Sequence, residues 1–224
     1  MKKLLLFLAC YAATFQLFAQ TFDFGCLLKL QSAAQTNDNP QAPQDGVTQW
    51  DAFLAPGVNA YGSCIFFKHL AATLRAGYVR KGYEENAQLG TIGDPASFHD
   101  EKLHNTSDNI NLDVLLGYRG ANKRRLNFDV YTGLQTDFLL KYRLESDKYP
   151  INEFYPTNQF KEKWSPVILN YVAGIGLWMP KFAGLSFEFS RGLTPNLRTS
   201  SLRIKNWVWA LNLMLSVNDL LRKD

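Results

Sequence analysis

The chain has 224 residues, 46% of them hydrophobic and 14% aromatic, with 24 Lys and Arg against 20 Asp and Glu. Two of those lysines lie within residues 1–20, so the remainder is close to neutral, and its charge gives no argument for nucleic acid. Cys26 and Cys64 are too few for a disulfide scaffold and sit in no metal-ligand spacing. No stretch beyond residue 20 reaches the ~18 uninterrupted apolar residues of a transmembrane helix.

Residues 1–20 read as a secretory signal peptide. Lys2 and Lys3 form the positive start, Leu4 to Phe18 the apolar run, and Phe18-Ala19-Gln20 its end with a small residue. A start-anchored helix is the alternative, but Gln16 interrupts a run already short for a span of ~20 residues. A lipoprotein attached at Cys10 is a second, and Phe7-Leu8-Ala9-Cys10 is a poor lipobox. Residues 21–224 then form one exported domain.

That domain alternates with a period of two, which separates faces in a strand and mixes them in a helix. In the first predicted strand, 22–32, Phe22, Phe24, Cys26, Leu28 and Leu30 oppose Asp23, Gly25, Leu27, Lys29 and Gln31. The second, 57–67, has mixed faces and an unsettled register. In the third, 71–83, Leu74, Ala76 and Tyr78 oppose Arg75, Gly77 and Val79. The fourth, 109–119, sets Ile110, Leu112, Val114, Leu116 and Tyr118 against Asn111, Asp113 and Arg119. The fifth, 125–143, far exceeds the ~5–6 residues usual in soluble sheets. It puts Phe128, Val130, Leu134, Phe138, Leu140 and Tyr142 opposite Asp129, Gln135, Asp137 and Lys141. Strands over 166–179, 185–193 and 201–217 complete eight.

The connections alternate in length: 33–56, 84–108 and 144–165 are long, 68–70, 120–124 and 180–184 short, and 194–200 intermediate. This is the rhythm of outer-membrane barrels, with short periplasmic turns and longer extracellular loops. One face of the strands carries Lys29, Arg75, Asp113, Arg119, Asp129, Asp137, Lys141 and Glu188, while the other is nearly uncharged. An eight-stranded lumen is just wide enough to be filled by side chains, so the charged face is assigned to the lumen and the apolar face to lipid. On that assignment Leu112→Arg should damage insertion more than Asn111→Arg. Phe22, Phe66, Tyr118, Tyr142, Trp178 and Trp207 fall near strand ends, as interfacial aromatics do. The alternative is a soluble barrel or sandwich with the apolar set inside. The expected fold is thus an all-β, eight-stranded antiparallel up-and-down transmembrane barrel with long extracellular loops.

Several segments resemble the PorT-like outer-membrane β-barrel domains of Bacteroidetes. They are the leader end Phe18-Ala19-Gln20, the opening Phe22-Asp23-Phe24-Gly25, the central run Asn109 to Arg119, the glycine-rich Tyr171 to Leu177, and Phe187 to Thr194. The chain departs from such barrels at its end, where Asn218 to Asp224 follows the last strand in place of a terminal aromatic. The resemblance implies the outer membrane of a Gram-negative bacterium and a link to type IX secretion or gliding machinery.

Chemistry-bearing residues are sparse. His99 and His104 share a predicted loop with Asp94, Asp100, Glu101 and Asp108, and a Zn²⁺ site there would lack helical spacing to fix its ligands. An outer-membrane lipid-A enzyme would place a Ser and a His together, but no His falls within a predicted strand to activate Ser63, Ser186 or Ser190. No catalytic, cofactor or metal residue is therefore assigned, and no cofactor is expected. Gly174 and Gly176 fit a strand face where small residues leave room in a crowded lumen. Arg143, Lys161, Lys163, Arg198, Arg203 and Lys205 suit contact with anionic lipopolysaccharide. The expected role is structural, adhesive or assembly-related and non-enzymatic. The expected partners are outer-membrane lipid, lipopolysaccharide and outer-membrane or periplasmic proteins, with no nucleic acid. A small-solute channel and a lipid-A-modifying enzyme are the alternatives. Cys26 and Cys64 are expected to lie close in the first hairpin, mostly unbonded.

Overall fold

Alternating apolar and polar residues form strands because a pleated chain sends successive side chains to opposite faces. The computed structural model describes residues 21–37, 51–67, 69–89, 99–120, 127–146, 165–179, 182–198 and 203–218. The expected signal peptide and the connections centred on 38–50, 90–98 and 147–164 lie outside these residues. The strands are β1 (Thr21–Asn37), β2 (Asp51–Phe66), β3 (Leu70–Leu89), β4 (His99–Gly120), β5 (Asn127–Ser146), β6 (Val167–Trp178), β7 (Ala183–Gly192), the two-residue β8 (Leu197–Arg198) and β9 (Arg203–Ser216). No described helix is long and apolar enough to cross a membrane.

Neighbours pair antiparallel in the order β1 to β7 and then β9, and β1 pairs back onto β9 from Gly25↔Ser216 to Asn37↔Ile204. The eight long strands therefore close into a barrel, with β8 a short ladder on β9. Closure removes sheet edges and satisfies backbone groups without water, which a span through lipid requires.

The apolar residues face outward. On β4, Ile110, Leu112, Val114, Leu116 and Tyr118 are exposed while Asn111, Asp113 and Leu115 are buried. At ~3.3 Å per residue and a ~40° tilt, Ile110 to Tyr118 rises roughly 20 Å, close to the ~25 Å apolar band of outer-membrane barrels. Asn59, Gln135, Asn170, Asn212 and Ser186 line the interior, all 2% exposed or less. This arrangement is the inverse of a soluble barrel. The short turns gather at one end, where Phe67 holds φ at 48° and leaves its ring 76% exposed. A tight primed hairpin turn needs such a left-handed residue.

The strands outrun the sequence pattern on the other, extracellular side. Segments 33–56 and 84–108, expected as loops, supply the upper parts of β1, β2, β3 and β4, with pairing as far as Leu89↔His99. Above the lipid both faces are wet, so alternation fades although the ladder continues. His99 to Asp108 lie on a strand for the same reason.

Two irregularities matter. In β2 the register against β3 shifts between Ala52 and Gly57, beside Pro56. Its lumen face is Ala55, Asn59, Tyr61 and Ser63, and its outer face Leu54, Val58 and Ala60, with few bulky apolar residues to mark it. In β5 a bulge inserts Leu140, since Asn109 pairs with Leu139 but Asp108 with Lys141. A bulge re-aims every side chain beyond it. Lys141, assigned to the lumen by alternation, faces outward and is exposed. Tyr142, assigned to the lipid interface, turns inward, where its hydroxyl donates to Asn105 Oδ1. Trp178 likewise leaves the expected aromatic girdle and is buried inside.

The cysteines share the outer side of the first hairpin, but Cys26 pairs with Ala60 and Cys64 with Phe22. Four positions at ~3.3 Å place them ~13 Å apart along the strands, beyond the ~7 Å Cα limit of a disulfide. The expected proximity is thus corrected, and both thiols are free.

Candidate functional site

An inward-facing charge in so narrow a barrel must find an opposite charge, because desolvation is expensive for an unpaired ion. Seven of the charges assigned to the lumen do so, and they are joined by Lys81 and Asp23.

The middle of the lumen is organised around Glu188 on β7. Lys29 Nζ on β1 lies 2.6 Å from Glu188 Oε1, and Arg75 Nη1 on β3 lies 2.7 Å from Oε2. The Tyr131 hydroxyl on β5 donates to Oε2 at 3.1 Å. Arg75 also reaches Asp113 Oδ2 at 2.9 Å. In the ring of eight strands β3 and β7 are four steps apart either way. The Arg75–Glu188 pair therefore crosses the full diameter.

Toward the extracellular side, Lys81 Nζ lies 2.5 Å from Asp137 Oδ2, which also accepts from Asn170 Nδ2 at 2.6 Å. Toward the periplasm, Arg119 Nε pairs with Asp129 at 3.0 Å and Arg119 Nη1 with Asp23 at 3.3 Å. Asp129 accepts from Trp178 Nε1 at 2.6 Å, and Asp23 from Ser216 Oγ at 2.8 Å. Between this layer and the middle one, Leu27, Tyr61, Trp178 and Met214 form an apolar collar. The cavity they help line measures about 50 Å³, room for a few waters.

The glycine-rich strand makes this packing feasible. A Cβ on Gly174 would lie 2.4 Å from Tyr131 Cζ. Gly174→Ala is expected to push the Tyr131 ring off Glu188 and to destabilise the barrel by ~1–3 kcal/mol, read as a lower denaturant midpoint in detergent. An unchanged midpoint would show that the ring is not held there.

The remaining candidates are dispersed. His69 sits at the β2–β3 turn, its Nδ1 3.1 Å from Arg119 O and its ring stacked on Tyr118. His104 faces Glu84 at 3.3 Å. Ser63 and Ser186 face the lumen, bonded to Thr73 and Asn212, and Ser190 is buried there. Asp108, a carboxylate of the supposed metal loop, is taken up by Arg80 and Arg143. No metal-binding cluster occurs among the described residues, and Asp94 lies outside them. Of the cations expected to meet lipopolysaccharide, Arg143 faces outward and Lys205 is half-buried on the outer wall, while Lys161 and Lys163 lie outside the described residues. Sequence reasoning missed Lys81, near the end of the third predicted strand on the β3 lumen face, and Tyr131, whose position depends on its ladder partner Gly174 on the neighbouring strand β6.

Residues 18–198 match the family described as outer membrane protein beta-barrel domain. The chain belongs to this family. It is an outer-membrane protein of a Gram-negative bacterium, as the family, the closed barrel and the outward apolar belt together require. No curated protein matches it in sequence. Among solved structures, OprG of Pseudomonas aeruginosa aligns at 11% identity over 89% of this chain and 95% of that one, with a TM-score of 0.45. Ail, the attachment invasion locus protein of Yersinia pestis, in complex with the heparin analogue sucrose octasulfate, aligns at 8% identity over 88% and 99%, with a TM-score of 0.40.

Proposed function

We propose that this chain is a non-enzymatic, non-conducting outer-membrane protein, a sealed barrel serving a structural, adhesive or assembly role through the surface it raises above the membrane. The observation that carries the reading is the Arg75–Glu188 pair across the barrel diameter, flanked on both sides by further ion pairs. Mixed charges that pair leave no path of one sign for a solute to follow. The ladder continued to Leu89↔His99 raises a polar sheet above the lipid on the extracellular side, a platform for an outer-membrane protein partner. The resemblance to PorT-like barrels supports placing that partner in secretion or gliding machinery.

The purified protein in planar bilayers is expected to give no sustained single-channel steps. Regular steps that scale with salt concentration would overturn the sealed-barrel reading in favour of a channel.

A further inference from the structure

The bulge that turns Lys141 outward also assembles a cationic cluster on the outer wall. Arg80 on β3, Asp108 on β4 and Lys141 on β5 are direct ladder partners, so they share one height. Arg143 stands two positions higher on β5 and leans back to Asp108, Nη2 to Oδ2 at 2.8 Å. Arg80 Nε donates to Oδ1 of the same carboxylate at 2.8 Å, and the Tyr78 hydroxyl donates to that oxygen at 2.5 Å. Asp108 is nearly buried beneath the two arginines, whose side chains are each 34% exposed.

One carboxylate thus orients two guanidiniums, and Lys141 adds a third cation, for a local charge of +2. A single arginine would neutralise Asp108. The second arginine and Lys141 remain uncompensated, and the buried Nε of Arg143 has no partner among the described residues. Of the acids higher on this wall, Glu84 faces Lys102 and His104, and no ion pair joins Glu145 to the cluster among the described residues.

The position selects the kind of ligand. Directly below the cluster, on the same outer face, are the exposed side chains Ile110, Phe138 and Leu140. A molecule that meets the cations therefore rests its remainder on the apolar belt. A soluble anion has no use for such a surface, whereas an amphiphile with a phosphorylated head and acyl tails fits both halves. Guanidinium groups bind phosphate through paired, charge-assisted hydrogen bonds.

We propose that Arg80, Lys141 and Arg143 form a binding site for the phosphorylated headgroup of an outer-leaflet glycolipid, lipid A of lipopolysaccharide, with Asp108 as the residue that positions both arginines. The proposal rests on the membrane location and not on whether the lumen is sealed, so conductance and lipid binding fail independently.

The test uses the folded barrel in uncharged detergent, titrated with bisphosphorylated lipid A and with the same lipid enzymatically dephosphorylated, and read by native mass spectrometry. The wild-type barrel is expected to prefer the phosphorylated lipid by at least about tenfold. The R80A/K141A/R143A variant is expected to bind both forms alike, while Lys102→Ala, on the same wall but paired with Glu84, keeps the preference. Equal binding of the two lipids by the wild-type barrel would overturn the proposal, and so would a preference retained by the triple variant. Heat-modifiable gel mobility reports folding, and the wild-type comparison decides the matter even where the triple variant does not fold.

Discussion

Replacing Leu112 by Arg is expected to prevent most of the chain from reaching its folded, heat-modifiable form. Leu112 lies within the apolar run of β4, one outward position above its centre at Val114, with Ala76 and Thr136 as its cross-strand neighbours and neither able to neutralise a cation. Arginine at the bilayer midplane of such a barrel costs ~2–4 kcal/mol, falling to ~0–1 near the interfaces. Leu140 supplies the matched control. It is also exposed on the outer wall, but at the upper rim beside Lys141, so Leu140→Arg should be nearly neutral. The control suggested by alternation alone, Asn111→Arg, is a poor one. Asn111 is fully buried against Asp113 in a filled lumen, and overpacking there adds ~1–3 kcal/mol of its own. Folded fractions measured by gel mobility after refolding into detergent or lipid should rank Leu140→Arg well above Leu112→Arg. Equal fractions would mean that β4 does not face lipid.

The depth dependence follows from the same physics that made the barrel legible. Lipid imposes a strict apolar requirement on every second residue, so the strand middles of β1, β3, β4 and β5 could be read residue by residue. The requirement ends at the headgroups. Beyond them β3 and β4 keep pairing, yet nothing in Glu84 to Leu89 or His99 to Asp108 alternates, and these segments read as a loop. β2 was obscure for a different reason: its faces carry Ala, Gly, Asn and Ser, and hydrophobicity barely separates them. The bulge at Leu140 left no trace in composition, and one inserted residue reversed Lys141 and Tyr142 together. Charges could be assigned to the lumen from their face. Their partners could not, because contacts such as Arg75–Glu188 depend on how far each strand is staggered around the ring, which no local pattern records.

That stagger gives Glu188 the largest expected effect in the molecule. Its carboxylate holds two cations from strands on different sides of the barrel, with both pairs almost wholly shielded from water. Glu188→Ala leaves Lys29 and Arg75 confronting each other in a closed interior. Asp113 remains as the acid on Arg75, but Lys29 keeps no ion-pair partner among the described residues. Removing one member of a buried network costs ~3–5 kcal/mol, chiefly through the charge left uncompensated. If that is the cause, removing the orphaned cation as well should restore stability. Lys29→Met in the Glu188→Ala background is therefore expected to recover a substantial part of the loss, although Lys29→Met alone destabilises. The two substitutions should be strongly non-additive in denaturant midpoints measured in detergent, as contacting charges are. Additive losses would assign the effect of Glu188→Ala to lost packing and remove the electrostatic argument for a cross-lumen plug. Glu188→Gln separates the contributions further, since it preserves the shape and an acceptor for the Tyr131 hydroxyl while deleting the charge. It should resemble Glu188→Ala in stability if charge balance governs the lumen, and resemble the wild type if shape does.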